Sequence, residues 1–203
     1  VETMQTAIQL NPGDAMKYAT LGIIYHANMQ LSMALQQYIL SLRINPGLGE
    51  IYYNMATIFI EQEQFKKAHK AAYLAQNLGY TGSSKILSEL KKNVPSLNTD
   101  LELGKVTLHL RHIVTESEDK TRKVLGLLRE GQDFSQLAEK FSSQPFHLNG
   151  GYVGPYVPEE LMPEIAEVVD PLPPFTFSPV IATDSGFHIF QKFFVFNDLL
   201  TSF

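Results

Sequence analysis

The chain contains no cysteine. Disulfide frameworks, zinc–thiolate centres and cysteine nucleophiles are therefore excluded, while the redox compartment stays open, since such a chain tolerates oxidising and reducing surroundings alike. No run approaches the roughly 18 uninterrupted apolar residues of a membrane-spanning helix. Gly150-Gly151-Tyr152-Val153-Gly154 lacks the Lys-Ser/Thr that completes a phosphate-cradling loop, and no serine sits in a nucleophile-elbow context. His109 and His112 lie three apart on a predicted strand, so they point to opposite faces and no metal site is expected. Positive charge is short in the second half: residues 94–203 carry 8 Lys and Arg against 15 Asp and Glu, whereas residues 1–93 carry 8 against 6. The second half repels polyanions, which argues against a nucleic-acid partner. The remaining composition, 44% hydrophobic and 18% charged over 203 residues, is ordinary for one or two globular domains.

What is present begins with repetition. Asn11-Pro12-Gly13 recurs 34 residues later as Asn45-Pro46-Gly47. Between them Tyr18, Leu21, Gly22 and Tyr25 share one helix face, and Ala34, Tyr38 and Ser41 follow on a second periodic segment that ends at Pro46. Tyr52, Met55, Ala56, Phe59, Ala68 and Ala75 repeat the scheme. Small residues at Gly22, Ala34, Ala56 and Ala68 let paired helices approach closely, and aromatics fill the space to the next pair. These segments resemble TPR repeats, about two and a half units with a capping helix at 83–93. Residues 1–11 fit only the second helix of a unit, so the chain is expected to be a fragment or a processed form.

Pro95, Ser96, Asn98 and Thr99 break the helical period. We therefore expect a helical-repeat domain at 1–93, a linker at 94–104, a second domain at 105–193 and a tail at 194–203. After the linker the period becomes two: Val106, Leu108, Leu110, His112 and Val114 alternate with Thr107, His109, Arg111 and Ile113, a strand. Thr115 and Glu118 suggest a capping box for a helix to Glu130. Further helices are expected over 133–141 and 159–169, with closing strands near 178–182 and 187–194. The fold class expected is thus all-α helical repeats followed by a small α+β domain with a mostly antiparallel sheet.

Ordered segments of this second domain resemble the parvulin family of peptidyl-prolyl cis/trans isomerases. They are Leu110-Arg111-His112-Ile113-Val114, Gly131-Gln132-Asp133-Phe134-Ser135-Gln136-Leu137-Ala138, Phe141-Ser142, Gly150-Gly151-Tyr152-Val153-Gly154, Leu161-Met162-Pro163-Glu164 and Thr183-Asp184-Ser185-Gly186-Phe187-His188-Ile189. The resemblance implies that His112 and His188 face the site from the central strands and hold a hydrogen-bond network with Thr183 and Ser185. It puts Val153, Leu161 and Ile165 at the proline pocket and Gln144 where the family usually has Asp or Cys. Tyr152 replaces the usual Asp after Gly-Gly, and Ile165 replaces a common aromatic. Glu116, Glu118 and Asp119 precede Lys120, Arg122 and Lys123 where phosphopeptide-specific members are basic, so no phosphoserine-proline preference is expected.

The function expected from this resemblance is proline isomerisation by a folding or assembly factor, with a proline-containing peptide or protein client, a protein partner on the TPR repeats and no cofactor. The alternative is a catalytically weak or inactive module that binds extended peptides as a chaperone or scaffold. Parvulins joined to helical segments are familiar in bacterial envelopes, so the resemblance leans toward that compartment.

Overall fold

Helix-period segments separated by short polar turns fill the first half of the chain. The computed structural model describes residues 2–94, 106–143 and 148–200. In it these segments are α1 (Glu2–Leu10), α2 (Ala15–Ala27), α3 (Leu31–Ile44), α4 (Gly49–Glu61), α5 (Phe65–Asn77) and α6 (Ser83–Asn93). Asp14 starts α2 by accepting the Met16 N–H at 3.0 Å. Three-residue turns close α2 onto α3 and α4 onto α5, and their backbones match at the 34-residue spacing. Met29 and Glu63 both take a left-handed conformation, with φ of 59° and 57°. Gln30 N–H donates to Tyr25 O at 2.9 Å as Gln64 N–H donates to Phe59 O at 2.8 Å. Turns this short oblige the helices they join to run antiparallel.

Packing within the pairs follows the small residues. Ala34, Ala56 and Ala68 are fully buried, as are Tyr38 and Tyr52. Gly22 lies flush against Tyr38, where an added Cβ would stand 2.5 Å from the phenol ring. Ser41 Oγ donates to Ala15 O at 2.8 Å, tying α3 to the start of α2.

The second half alternates strand and helix: β1 (Val106–Thr115), α7 (Glu118–Arg129), α8 (Phe134–Phe141), β2 (Tyr152–Pro155), α9 (Pro163–Val169), β3 (Ile181–Thr183) and β4 (Gly186–Phe196). The sheet order is β2-β1-β4-β3, and β2 and β3 run antiparallel to their neighbours β1 and β4. One face of the sheet, with Ile113 and Ile189, packs on Val124, Leu125 and Leu128 of α7 and Phe134, Leu137 and Ala138 of α8. The other, with Leu110, Ile181 and Phe190, packs on Ile165 and Val169 of α9. The strand alternation read from the sequence thus sorts residues to two separate cores.

Local differences from the sequence reading have local causes. The α7 cap is Ser117, whose hydroxyl accepts the Lys120 N–H, while Thr115 Oγ1 is engaged with Thr121 Oγ1 at 2.7 Å. The helix expected over 159–169 is split into a 3-10 turn at Pro158–Glu160 and α9, because Pro163 forces Met162 out of the helical region, to ψ 139°. The strand expected from Ser178 starts at Ile181: Pro179 has no N–H to give, and Ser178 bridges to β4 instead, its Oγ accepting the Phe190 N–H at 2.9 Å. The linker expected at 94–104 lies, from Pro95 on, outside the described residues.

The chain divides into two compact units: residues up to Val94 together with those from Phe196 on, and Val106–Val195. The segment expected as a tail at 194–203 is therefore not a tail through Leu200. After β4 ends, α10 (Asn197–Leu200) belongs to the helical unit, where Lys70 pairs with Asp198 at 2.8 Å and Arg43 donates to Leu200 O at 3.0 Å. Phe196 is fully buried there beside Tyr73.

Gly22→Ala should destabilise the helical unit by about 1–3 kcal/mol, the usual cost of overpacking. Urea unfolding followed by helical circular dichroism measures this. Tyr38→Leu in the Gly22→Ala background should recover part of the loss, which a double-mutant cycle reads as coupling.

Candidate active site

The two central strands bring two distant histidines into contact. His112 on β1 and His188 on β4 hydrogen-bond through His112 Nε2 and His188 Nδ1 at 2.8 Å. His188 Nε2 then meets Thr183 Oγ1 at 2.7 Å and Ser185 Oγ at 3.3 Å. Thr183 and Ser185 sit at the two sides of the β3–β4 turn; their hydroxyls are 2.9 Å apart, and Ser185 N–H donates to Thr183 Oγ1 at 3.1 Å. His112, His188, Thr183 and Ser185, all read from the sequence as site residues, thus form one connected network.

The sequence sets this geometry locally. Strand alternation places His112 with Leu110, and His188 with Phe190, on the α9 side of the sheet. The His112 ring lies nearly parallel to Phe190 at 4.3 Å between centroids. Gly151, at φ 78°, crosses so close to β1 that a Cβ would be 2.6 Å from His112 O, so only glycine fits.

Burial fixes the charge state. His112 and His188 are 5% and 4% exposed. Desolvation first, and His188 second, push the His112 imidazolium pKa down to about 3; desolvation lowers that of His188. Both rings are neutral near pH 7. Two proton arrangements satisfy the network. In one, His112 Nε2–H donates to His188 Nδ1 and His188 Nε2–H donates to Thr183. In the other both donations are reversed. Each keeps both nitrogens of His188 bonded without a net charge in the site.

Beside the network lies an apolar wall. Ile165 of α9 is buried with Leu110, Ile181 and Phe190, and half-buried Leu161 packs against them. Val153, which the resemblance puts at the proline pocket with Leu161 and Ile165, lies outside this buried cluster and is 41% exposed. The physical reason is a bulge: Leu110 pairs with Gly154 and Arg111 with Tyr152, so the register skips Val153. Gln144 lies outside the described residues. Among the described residues no three His, Asp or Glu side chains converge on a metal position.

Several contacts escape a motif reading. Tyr152 OH lies 3.0 Å from His109 Nδ1, and His109 stacks on Phe193, which gives this tyrosine a partner of its own. Arg111 is buried, donating to Gln191 Oε1 with its guanidinium over the Phe134 ring; desolvation lowers its pKa to about 10 against an opposing pull from Asp133. Lys192 is also buried, donating to Val169 O and Asp170 O. Basic residues in an alternating strand ordinarily face solvent, so the clue was only that Lys192 shares the parity of His188 and Phe190.

Residues 111–193 match the rotamase family model described as PPIC-type PPIASE domain. Chaperone SurA of Pseudomonas aeruginosa is 33% identical over 94 residues, covering 41% of this chain and 22% of SurA. Foldase protein PrsA of Geobacillus kaustophilus is 32% identical over 106 residues, covering 52% of this chain and 38% of PrsA. The solution structure of NmPin, the parvuline of Nitrosopumilus maritimus, is 20% identical with a TM-score of 0.40, covering 44% of this chain and 99% of that one. The chain thus spans well under half the length of these two curated relatives. Residues 111–193 of this chain are a PPIC-type peptidyl-prolyl isomerase domain of the parvulin family.

Proposed function

We propose that this domain isomerises X-Pro bonds in protein clients and that the chain works as a folding or assembly factor. The observation that carries the reading is the neutral His112–His188–Thr183 network lying beside the apolar wall of Leu110, Leu161, Ile165, Ile181 and Phe190. Amide resonance gives an X-Pro bond a barrier of about 18–20 kcal/mol, while its cis and trans forms differ little in free energy. Lowering that barrier needs no nucleophile. The apolar wall grips the proline ring, planar or twisted, and so holds the substrate; the low solvation of the neighbouring carbonyl in the site is what favours the twisted, less conjugated amide. The uncharged imidazoles suit a neutral peptide bond, and their mutual bond keeps the site floor rigid. His112 and His188 organise the site; they do not shuttle protons.

The helical unit is read as TPR-type repeats that hold a protein partner or place the isomerase near its client. Support comes from the 34-residue recurrence of Asn-Pro-Gly, from the matched turns at Met29 and Glu63, and from the Gly22–Tyr38 contact.

Magnetisation-exchange NMR on a short X-Pro peptide should show catalysed cis/trans exchange. His188→Ala leaves Thr183 and His112 without their shared partner, so the rate should fall about tenfold, corresponding to about 1–2 kcal/mol. No acceleration at high protein concentration would reject the enzyme reading in favour of a peptide-binding module. That second reading draws on Gln144, which cannot carry the anionic or thiol character usual at its place in the family. Gln144→Asp should therefore raise the exchange rate in the same assay; an unchanged or lower rate removes Gln144 as the limiting feature.

Acid should weaken the domain through its neutral histidines. His112 titrates at about 3 when folded and His109 at about 4, both held down by burial, against 6.5 for a free imidazole. Unfolding therefore takes up protons between those values and 6.5, and stability falls as pH drops through that window. Above 6.5 neither contributes. Each such proton adds a slope of up to about 1.4 kcal/mol per pH unit. Urea titrations between pH 7 and 5, followed by imidazole resonances, should show a shallower slope in His112→Gln than in the parent.

A further inference from the structure

Lys192 occupies an expensive place for an ammonium. It is 6% exposed, on the face of β4 that also carries His188 and Phe190. Its Nζ donates to Val169 O at 3.1 Å and to Asp170 O at 2.7 Å, the carbonyls at the C-terminal end of α9. Its charge also sits 5.0 Å from the centre of the Tyr156 ring. Tyr156 packs on the same apolar cluster, and its N–H donates to Leu108 O on β1 at 3.0 Å. One side chain therefore links β4, the end of α9 and the segment that follows β2.

α9 has only seven residues, too few to hold a helix alone. Its last carbonyls have no partner within the helix and carry the negative end of its dipole. A methionine or leucine would fill the space beneath it with less desolvation. What a lysine adds there is a cation with several donors aimed at those carbonyls. α9 in turn supplies Ile165, which packs in the same buried cluster as Phe190.

We propose that Lys192 is a positioning residue for the proline site, clamping the end of α9 to the strand that bears His188 and so fixing how Ile165 packs beside Phe190. This rests on the isomerase reading of that pocket. A wall that grips the proline ring contacts planar and twisted amides alike. Loosening it weakens ground-state and transition-state binding together, which raises KM and spares kcat. A residue needed only for folding would instead lower the active fraction, reducing kcat and leaving KM unchanged.

The test compares Lys192→Met, which keeps length and apolar packing, with Lys192→Arg, which keeps the cation. Full-chain protein is assayed by exchange NMR across a concentration series of one X-Pro peptide, alongside the methyl resonances of Ile165 and Val169 without peptide. We expect Lys192→Met to raise KM about fivefold or more with kcat within about twofold, to displace both methyl resonances, and Lys192→Arg to restore most of the KM. Unchanged KM and methyl shifts in Lys192→Met, or a loss confined to kcat, overturns the proposal. If the parent protein does not catalyse exchange at all, the isomerase reading fails; the clamp is then judged by peptide Kd and the same methyl shifts. Should Lys192→Met not fold, Lys192→Gln, neutral but still a donor, takes its place.

Discussion

The contact between His112 and His188 is the constraint on which the site depends. It joins residues 76 positions apart on the two central strands, so it exists only when β1 and β4 are paired in the right register. Each imidazole is buried with an apolar ring beside it, which makes a missing partner costly. The glycines around it serve the same end: Gly151 admits the β2 approach over His112, and a Cβ at Gly186 would meet Thr115 O at 2.7 Å. An isomerase needs a pocket that does not yield as the amide twists, and a cross-strand bond between neutral rings supplies rigidity without a charge that would draw water in.

Much of this was legible in the residues. The change of period between the two halves separates helices from sheet, and the parity of Leu110, His112, His188 and Phe190 puts them on one face. The network of His188 with Thr183 and Ser185 is expected from the resemblance of the 183–189 segment to the parvulin motif, not from spacing alone. Other features needed three dimensions. That Val153 is skipped in the pairing depends on the β1–β2 register, which no pattern of apolar residues encodes. Ser117 displaces Thr115 as the α7 cap because Thr121 competes for the threonine hydroxyl. Lys192 reads in sequence as a polar residue of a closing strand, and only the position of the α9 carbonyls shows what it serves. Arg111 is similar: its cost of burial is met by Gln191 and aromatic faces that lie far away in sequence.

The helical half shows the opposite balance, with local chemistry deciding nearly everything. Turn geometry, the position of the tight Gly22 approach and the burial of Tyr38 and Tyr52 all follow from residues within about one 34-residue interval. Contacts of such short range form quickly.

The placement of α10 qualifies that locality. Because Phe196 to Leu200 pack with α3 and α5, the helical unit is made of two pieces of chain separated by the whole isomerase domain. During synthesis the first piece leaves the ribosome before the sheet does, yet its surface around Lys70 and Tyr73 waits for a segment that emerges only after the sheet. The sheet can be complete, up to Val195 of β4, before that surface is covered. Newly made protein therefore passes through a stage with a working sheet and an unfinished helical scaffold, the reverse of the order in which domains usually mature along a chain.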